Sequence, residues 1–172
     1  ISFLQAFSSL KIPYPRSTQK SRQVPQLRFF LKKRVVVFLF CAFLMLVSHG
    51  AYYGFFSIHL ENLGYSNAYI GAAWALASIA EIIAMMKSKA LFKRFALEKV
   101  LLFSFAFAVI RWVALYWTTS LVWILITQIL HAITYGMFHM AGILYIDKMT
   151  PDESKTMGQA VNNAVTYGLG LM

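Results

Sequence analysis

The chain has 172 residues, of which 59% are hydrophobic and 13% are charged, whereas water-soluble domains average ~45–50% and ~25%. This composition indicates lipid surroundings, and the single cysteine, Cys41, excludes a disulfide framework or a cysteine-based metal site. The net charge of +10 is concentrated outside the apolar runs, where membrane topology accounts for it, so we do not expect a nucleic-acid partner.

The first 34 residues carry eight Lys and Arg and no acidic residue. Residues 1–10 are apolar enough to form the last part of an earlier helix. Residues 11–28 hold three prolines among polar and basic residues, which is typical of a solvated linker. The chain begins at Ile1 and stops at Met172 inside an apolar run. We therefore expect a fragment of a longer protein.

Four long apolar runs follow, and each predicts a membrane-spanning helix. They are Val35–Phe56, Ala68–Met86, Val100–Tyr116 and Leu121–Ile146. A helix needs ~20 residues to cross ~30 Å of hydrocarbon. A backbone inside lipid must also satisfy its own hydrogen bonds, so runs of this length are helical. With their flanking residues, we predict helices over 35–58, 67–87, 96–117 and 121–147.

A fifth helix is predicted over 151–172, which makes residues 35–172 one helical bundle. Thr150 suits the capping position, Pro151 the first helical position, and Glu153 completes a capping box. We find no obvious internal repeat.

The connections between the runs alternate in charge. The 87–99 connection carries five Lys and Arg, whereas the connections 57–67 and 117–120 carry none. The positive-inside rule then places residues 1–34, 87–99 and 147–155 in the cytoplasm.

Ionisable residues inside the apolar runs are the first candidates for function, because such groups are costly in lipid and usually face the bundle interior. They are Glu81, Arg111, His49, His131 and His139. Glu81 comes out ~8 Å from the inner end of its helix, and pairing with Arg111 would have to span ~9 Å, so we do not expect it without tilt. Two plainer interpretations remain open: Glu81 reaches Lys87 or Lys89, and Arg111 extends outward to the interface.

The fourth run carries a polar stripe. Gln128, His131, Tyr135 and His139 are spaced by three, four and four residues, which places them on one helix face. We interpret this face as the wall of a water-filled path, with hydrogen bonding between helices as the alternative. A metal site is disfavoured, since two helical turns separate His131 and His139 by ~12 Å.

The first helix changes character after Val47. Gly50 and Gly54 permit either close packing or local unwinding. Tyr52 and Tyr53 would either line a pocket or anchor the outer interface.

Several strings together resemble the second half of a major facilitator superfamily transporter. They are SHGAYYGFFSIHLENLGYS, AEI around Glu81, IRW around Arg111, QILHAITYGMFHMAG and MGQAVNNAVTYGLG. The phenylpropionate permease branch is most similar, and the nucleoside:proton symporters are more distant. The resemblance covers about residues 29–172, corresponding to the seventh to tenth helices and most of the eleventh.

The resemblance implies a twelve-helix protein of two six-helix halves, with residues 11–28 in the central linker and proton-driven alternating access. It also implies that the seventh, eighth, tenth and eleventh helices line the cavity. The ninth, which carries Arg111, is more peripheral, so Arg111 becomes a structural charge and not a solute ligand. The 87–99 loop lacks the Gly and Asp of the superfamily's loop signature, so that contact is not carried over.

We therefore predict an all-α, polytopic transmembrane bundle, the truncated second half of a secondary active transporter of the bacterial inner membrane. It would couple protons to the symport of a small organic solute, with an aromatic acid as one candidate, without a cofactor or bound metal. Its partners would be the solute, protons, the lipid bilayer and the N-terminal half of the same protein.

His131 and Glu81 are the predicted proton-linked groups. The predicted cavity wall consists of His49, Tyr53, Gln128, Tyr135, His139, Asn162 and Asn163. The alternatives are symport of a nucleoside or a sugar, a membrane-embedded enzyme, for which we find no clustered catalytic residues, and a helical assembly module without transport activity.

Overall fold

A computed structural model describes residues 27–171, and in this part of the chain every regular element is helical. A 3₁₀ turn, Leu27–Leu31, precedes α1 (Lys33–Asn62), α2 (Asn67–Arg94), α3 (Leu97–Trp117) and α4 (Leu121–Met149). A second 3₁₀ turn, Asp152–Ser154, introduces α5 (155–169). Of the predicted linker over residues 11–28, residues 27 and 28 belong to the first 3₁₀ turn, and the rest lies outside the described residues together with the apolar segment before it.

Helices α1 to α4 are each long and apolar enough to cross a membrane, with 30, 28, 21 and 29 residues. At 1.5 Å per residue the shortest of them covers about 30 Å, the thickness of the hydrocarbon core. The predicted all-α, polytopic membrane fold is therefore confirmed.

Helix α2 extends beyond its apolar run at the basic end. We predicted its end at residue 87, but it continues to Arg94 with Lys87, Lys89 and Lys93 exposed. Hydropathy marks where the lipid-compatible run stops, and the backbone stays helical beyond it. Glu81 consequently lies about 20 Å from either end of α2, and the predicted distance of ~8 Å from its inner end was wrong.

Helix α1 runs without interruption through both of its glycines, so the predicted alternative of local unwinding there is wrong. A Cβ on Gly50 would lie 3.4 Å from the Gly170 carbonyl oxygen, which shows close packing of α1 on α5; Gly54 has open space around it. Departures from α-helical geometry occur instead in α4, over Ala132–Met137, and in α5, over Ala164–Leu169, where the backbone is π-helical.

The turn between α4 and α5 lacks the predicted capping box. The Thr150 hydroxyl donates backward to the Ile146 carbonyl oxygen at 2.7 Å, so it is not available to cap the next helix. Glu153 makes no side-chain cap bond either, and the backbone N–H of Ser154 bonds to the Pro151 carbonyl oxygen at 2.9 Å. The Thr150 hydroxyl therefore stabilises the last turn of α4 and not the first turn of α5.

Helix α4 packs along both α2 and α3, and α1 packs against the π-helical segment of α5. Apolar side chains form two separate clusters. The cluster near the basic end, where α1 begins and α2 ends, includes Val35, Phe38, Leu101, Phe138 and Ile146; the cluster near the opposite end includes Phe56, Leu60, Ile70, Leu115 and Ile124. Along α1, α3 and α4, a polar layer separates the two.

The basic end is expected to face the cytoplasm, and cysteine accessibility tests this expectation. Ser88 is buried, so Lys89, an exposed neighbour, is the better probe of that end, with exposed Ser120 as the probe of the other. In the cysteine-free full-length protein, Ser120→Cys should react with an impermeant maleimide in intact cells. Lys89→Cys should react only after the membrane is permeabilised; labelling of Lys89→Cys in intact cells would reverse the topology.

Candidate functional site

The polar layer between the two apolar clusters combines side chains from α1, α3 and α4 with one from α2. His49, Arg111, Gln128 and His131 are all at most 3% exposed. Each is flanked along its own helix by apolar cluster residues, such as Leu46 and Tyr52 around His49. Packing of the apolar clusters on the two sides, toward the basic end and toward the opposite end, therefore fixes the polar side chains in one layer.

Glu81 and His131 form a pair across α2 and α4. The His131 Nε2 lies 3.8 Å from the Glu81 Oε2, an ion-pair distance when the imidazole is protonated. Gly136 permits this approach, because a Cβ there would lie 3.0 Å from the Glu81 Cγ. Within residues 27–171 no lysine lies within 4 Å of the Glu81 carboxylate, so Glu81 does not reach to the basic end of α2.

The pair meets the surface of the bundle through Glu81 and Tyr53. The Glu81 side chain is 22% exposed, and Tyr53, 38% exposed, places its hydroxyl 3.4 Å from the His131 Nε2. Glu81 and Tyr53 thus lie between the buried imidazole and the surface of the bundle.

Arg111 lies wholly inside the bundle and does not extend outward. Its Nε donates to the Thr127 carbonyl oxygen at 2.9 Å, and its guanidinium carbon lies 4.3 Å and 4.6 Å from the ring centroids of Tyr52 and Trp112. Neither terminal amino group has a hydrogen-bond partner, and no carboxylate within residues 27–171 lies within 4 Å. The charge is therefore held by aromatic faces and one carbonyl.

Tyr52 joins this arginine to the histidine. Its ring lies 4.3 Å from the Arg111 guanidinium carbon and 5.7 Å from the His131 ring, and its hydroxyl donates to the Gln128 Oε1 at 2.5 Å. Gln128 in turn donates from Nε2 to the Thr127 hydroxyl at 3.0 Å. Gln128 is fully buried, so it supports Tyr52 from inside the bundle instead of presenting itself to a solute.

The polar stripe of α4 faces α1, α2 and α5. The His131 and Tyr135 rings stack at 5.2 Å, and the Tyr135 and His139 rings follow at 6.4 Å. At the far end, His139 Nδ1 bonds to the hydroxyl of Tyr167 on α5. Hydrogen bonds between helices, which we kept as the alternative for this stripe, therefore occur at both of its ends.

The remaining predicted site residues are His49, which belongs to the polar layer, and the two asparagines of α5. The His49 ring lies 5.6 Å from the His131 ring, and its Nδ1 is 2.9 Å from the Met45 carbonyl oxygen. On α5, Asn162 is buried whereas Asn163 is exposed, so the two do not share surroundings. No group of three His, Cys, Asp or Glu between residues 27 and 171 is close enough to hold a metal ion.

Two segments that sequence reasoning overlooked have matching sequences and matching structures. The six residues 132–137 read AITYGM and the six residues 164–169 read AVTYGL, and both are π-helical. In each, the threonine hydroxyl donates back into its own helix, to the His131 or the Asn162 carbonyl oxygen. Their tyrosines, Tyr135 and Tyr167, both contact His139. A self-comparison of the sequence would have found this repeat, contrary to our expectation of none.

Trp74 and Trp112 were also missing from the predicted site, and Tyr52 had been left open as a pocket-lining residue or an interface anchor. Trp74 of α2 stacks on Tyr53 at 5.8 Å and donates from Nε1 to the Ser57 hydroxyl at 3.0 Å. Aromatic residues inside an apolar run carry no sequence signal that separates a site from ordinary core packing.

These features define a polytopic helical membrane protein with a charged layer between its apolar clusters, and comparison with known proteins places it in a family. Residues 5–172 match the model of the MFS_1 like family, so the chain belongs to the MFS_1 like family of major facilitator transporters.

Three curated relatives are named as transporters. The "Probable 3-phenylpropionic acid transporter" of Escherichia coli (strain K12) is 38% identical over 131 residues, which cover 76% of this chain and 34% of the relative. The "Putative nucleoside transporter YegT" of the same organism is 30% identical, covering 80% and 33%. The "Uncharacterized transporter YwbF" of Bacillus subtilis (strain 168) is 27% identical, covering 80% and 35%.

The chain thus spans about a third of the length of the curated relatives it matches. No solved structure gives a significant match.

The contact between Gly136 and Glu81 can be tested against a matched glycine. Gly136→Ala should leave the full-length protein less stable than Gly54→Ala does by about 1 kcal/mol or more, because the added methyl group crowds the Glu81 side chain and this offsets the gain in helix propensity. Gly54→Ala, on an open face of α1, should not lower the thermal midpoint in detergent. Equal effects of the two substitutions would show that the close packing at Glu81 is not a constraint.

The bond between Tyr52 and Gln128 should stabilise the polar layer. Gln128→Leu leaves a buried tyrosine hydroxyl without its acceptor, at an expected cost of about 1 kcal/mol in unfolding free energy. Tyr52→Phe should cost a similar amount, and the double variant should cost less than the sum of the two. Additive effects in this double-mutant cycle would mean that the two side chains are not coupled.

Proposed function

We propose that this chain is the C-terminal half of a secondary transporter that couples proton movement to the symport of a small organic solute by alternating access. The observation that carries the proposal is the Glu81–His131 pair, 3.8 Å apart, half inside the bundle and half at its surface. Proton-linked residues in membrane transporters are ionisable groups of this kind, held in the bundle and facing its interior or a water-filled cavity. The names of the relatives support transport as the function.

The charges of the layer favour joint binding of a proton and an anion. With one proton shared by Glu81 and His131, the pair is neutral overall, and Arg111 leaves the layer with one positive charge. After the proton leaves, the Glu81 carboxylate offsets Arg111 and the layer is neutral. In a medium of low dielectric constant, this difference favours an anionic solute only in the protonated state. Solute and proton would then move together.

The wall beside the pair suits a planar, aromatic solute. Tyr53 and Trp74 present stacked rings, and Tyr135 stands edge-on to Tyr53 at 6.1 Å. An aromatic carboxylate satisfies both this wall and the charge of the layer, in keeping with the relative named for 3-phenylpropionic acid. A nucleoside, suggested by the second relative, would stack on the same aromatic wall, but it carries no negative charge to pair with the positive charge of the layer.

Other predicted site residues take subsidiary roles in this proposal. His49 and Gln128 hold the buried side of the layer, and Tyr135, His139, Asn162 and Asn163 form cavity wall toward the basic end. The N-terminal half of the full-length protein would supply the opposite wall. The protein would lie in a bacterial inner membrane with its basic end in the cytoplasm.

Substitution of the pair separates coupling from folding. His131→Gln keeps hydrogen-bonding capacity but does not take up a proton. The full-length variant should reach the membrane and still exchange solute across it, while accumulation against a gradient and its dependence on external pH should be lost. Glu81→Gln should behave in the same way.

His59→Gln serves as the matched control, because His59 lies near the opposite end of α1, outside the polar layer. It should accumulate solute normally. Unchanged pH-dependent accumulation in both His131→Gln and Glu81→Gln would remove the pair from the mechanism. Uptake assays with aromatic acids, nucleosides and sugars would identify the solute class.

A further inference from the structure

The two π-helical segments each bring a tyrosine to one histidine, His139. The Tyr135 and His139 rings stack at 6.4 Å, and the Tyr167 hydroxyl is hydrogen-bonded to the His139 Nδ1. Phenylalanine would satisfy the stacking, whereas a hydrogen bond to the imidazole needs the hydroxyl. Histidine is also the side chain whose charge changes most readily near neutral pH. His139 is therefore a second titratable group inside the bundle, with a partner for proton transfer beside it.

The two histidines of α4 divide the helix into thirds. His131 follows Leu121, and His139 precedes Met149, by the same number of residues, so each lies about 15 Å from one end of α4. The two are about 12 Å apart along the helix, which is too far for a single hydrogen bond. A proton that leaves the Glu81–His131 pair toward the basic end has to cross this distance.

Three tyrosine hydroxyls lie between the two imidazoles. The Tyr53 hydroxyl is 3.4 Å from the His131 Nε2. The Tyr135 hydroxyl lies next to the hydroxyls of both Tyr53 and Tyr167. The Tyr167 hydroxyl in turn contacts the His139 Nδ1. These contacts are made among α1, α4 and α5 themselves, whatever other helices cover the bundle in the full-length protein.

We propose that these hydroxyls relay the proton of the Glu81–His131 pair to His139, which releases it toward the basic end of the bundle. The assignment rests on the proposed function, in which that pair carries the proton. The His131 Nε2–H gives its proton to the Tyr53 oxygen, and each hydroxyl passes its own proton to the next oxygen. The Tyr167 proton arrives at the His139 Nδ1. Each hydroxyl keeps one proton throughout, because it donates one hydrogen bond while it accepts another.

A small cavity of about 10 Å³ beside His139 shows which other groups face it. The lining side chains from α1 are Phe38, Ala42 and Leu46, and those from α5 are Asn162, Thr166 and Tyr167. Of the described residues, no lysine or arginine lines this cavity, and from α2 the Glu81 carboxylate is close enough to act on Tyr167. The buried Asn162 Oδ1 has no hydrogen-bond partner within residues 27–171. It offers an acceptor on the wall of a cavity with room for about one water molecule.

Proton flux into proteoliposomes of the full-length protein tests the relay. A trapped pH-sensitive dye records the proton influx that 3-phenylpropionate drives, and exchange of labelled for unlabelled 3-phenylpropionate is measured in parallel. Tyr135→Phe, Tyr167→Phe and His139→Gln should each lower proton influx and net uptake by about tenfold or more, because a missing link slows proton release. Exchange should be unchanged, since solute can exchange while the proton stays bound.

Tyr145→Phe and His59→Gln are the matched controls, because Tyr145 lies on α4 against an apolar cluster and His59 lies outside the polar layer. Neither should change the influx. Normal influx in Tyr135→Phe and Tyr167→Phe would overturn the relay, and so would an equal loss of influx and exchange, which indicates a structural role. In both cases Glu81→Gln should still abolish the influx if the proposed function holds. Lack of influx in the unsubstituted protein would reject that function, and the relay with it.

Discussion

The positive charge of Arg111, enclosed by the bundle without a carboxylate beside it, is the constraint around which the polar layer is arranged. A charge inside a membrane protein is costly unless the protein replaces its hydration. Tyr52 and Trp112 supply aromatic faces, Thr127 supplies a carbonyl oxygen, and Gln128 fixes the Tyr52 hydroxyl. The same Tyr52 ring borders His131, so the fixed charge and the Glu81–His131 pair form one electrostatic unit.

The fold and the inward position of His49, Arg111 and His131 could be predicted from sequence because both follow from solvation. Lipid forces long apolar runs into helices, and it forces polar side chains such as His131 into the interior. The distance from Glu81 to the inner end of α2 could not be predicted in this way, because α2 remains helical for about two further turns beyond its apolar run. The π-helical segments and the use of Thr150 by α4 depend on tertiary packing, which hydropathy does not record.

The two π-helical segments give α4 and α5 matching irregularities beside the site. A π-helical turn is rare and occurs frequently at functional sites. Here each segment places a tyrosine against His139, and Gly136 of the first one lets α4 approach Glu81. Local backbone geometry thus determines how closely the paired side chains approach, while the apolar clusters on either side hold the helices in place.

The central claim is that Glu81 and His131 change protonation when solute binds, and infrared difference spectroscopy measures this most directly. Spectra of the purified full-length protein would be recorded with and without solute, at a series of pH values. The account predicts a solute-dependent change in a protonated-carboxyl band that disappears in Glu81→Gln. A solute-bound spectrum with no such band, or with a band that persists in Glu81→Gln, would contradict it.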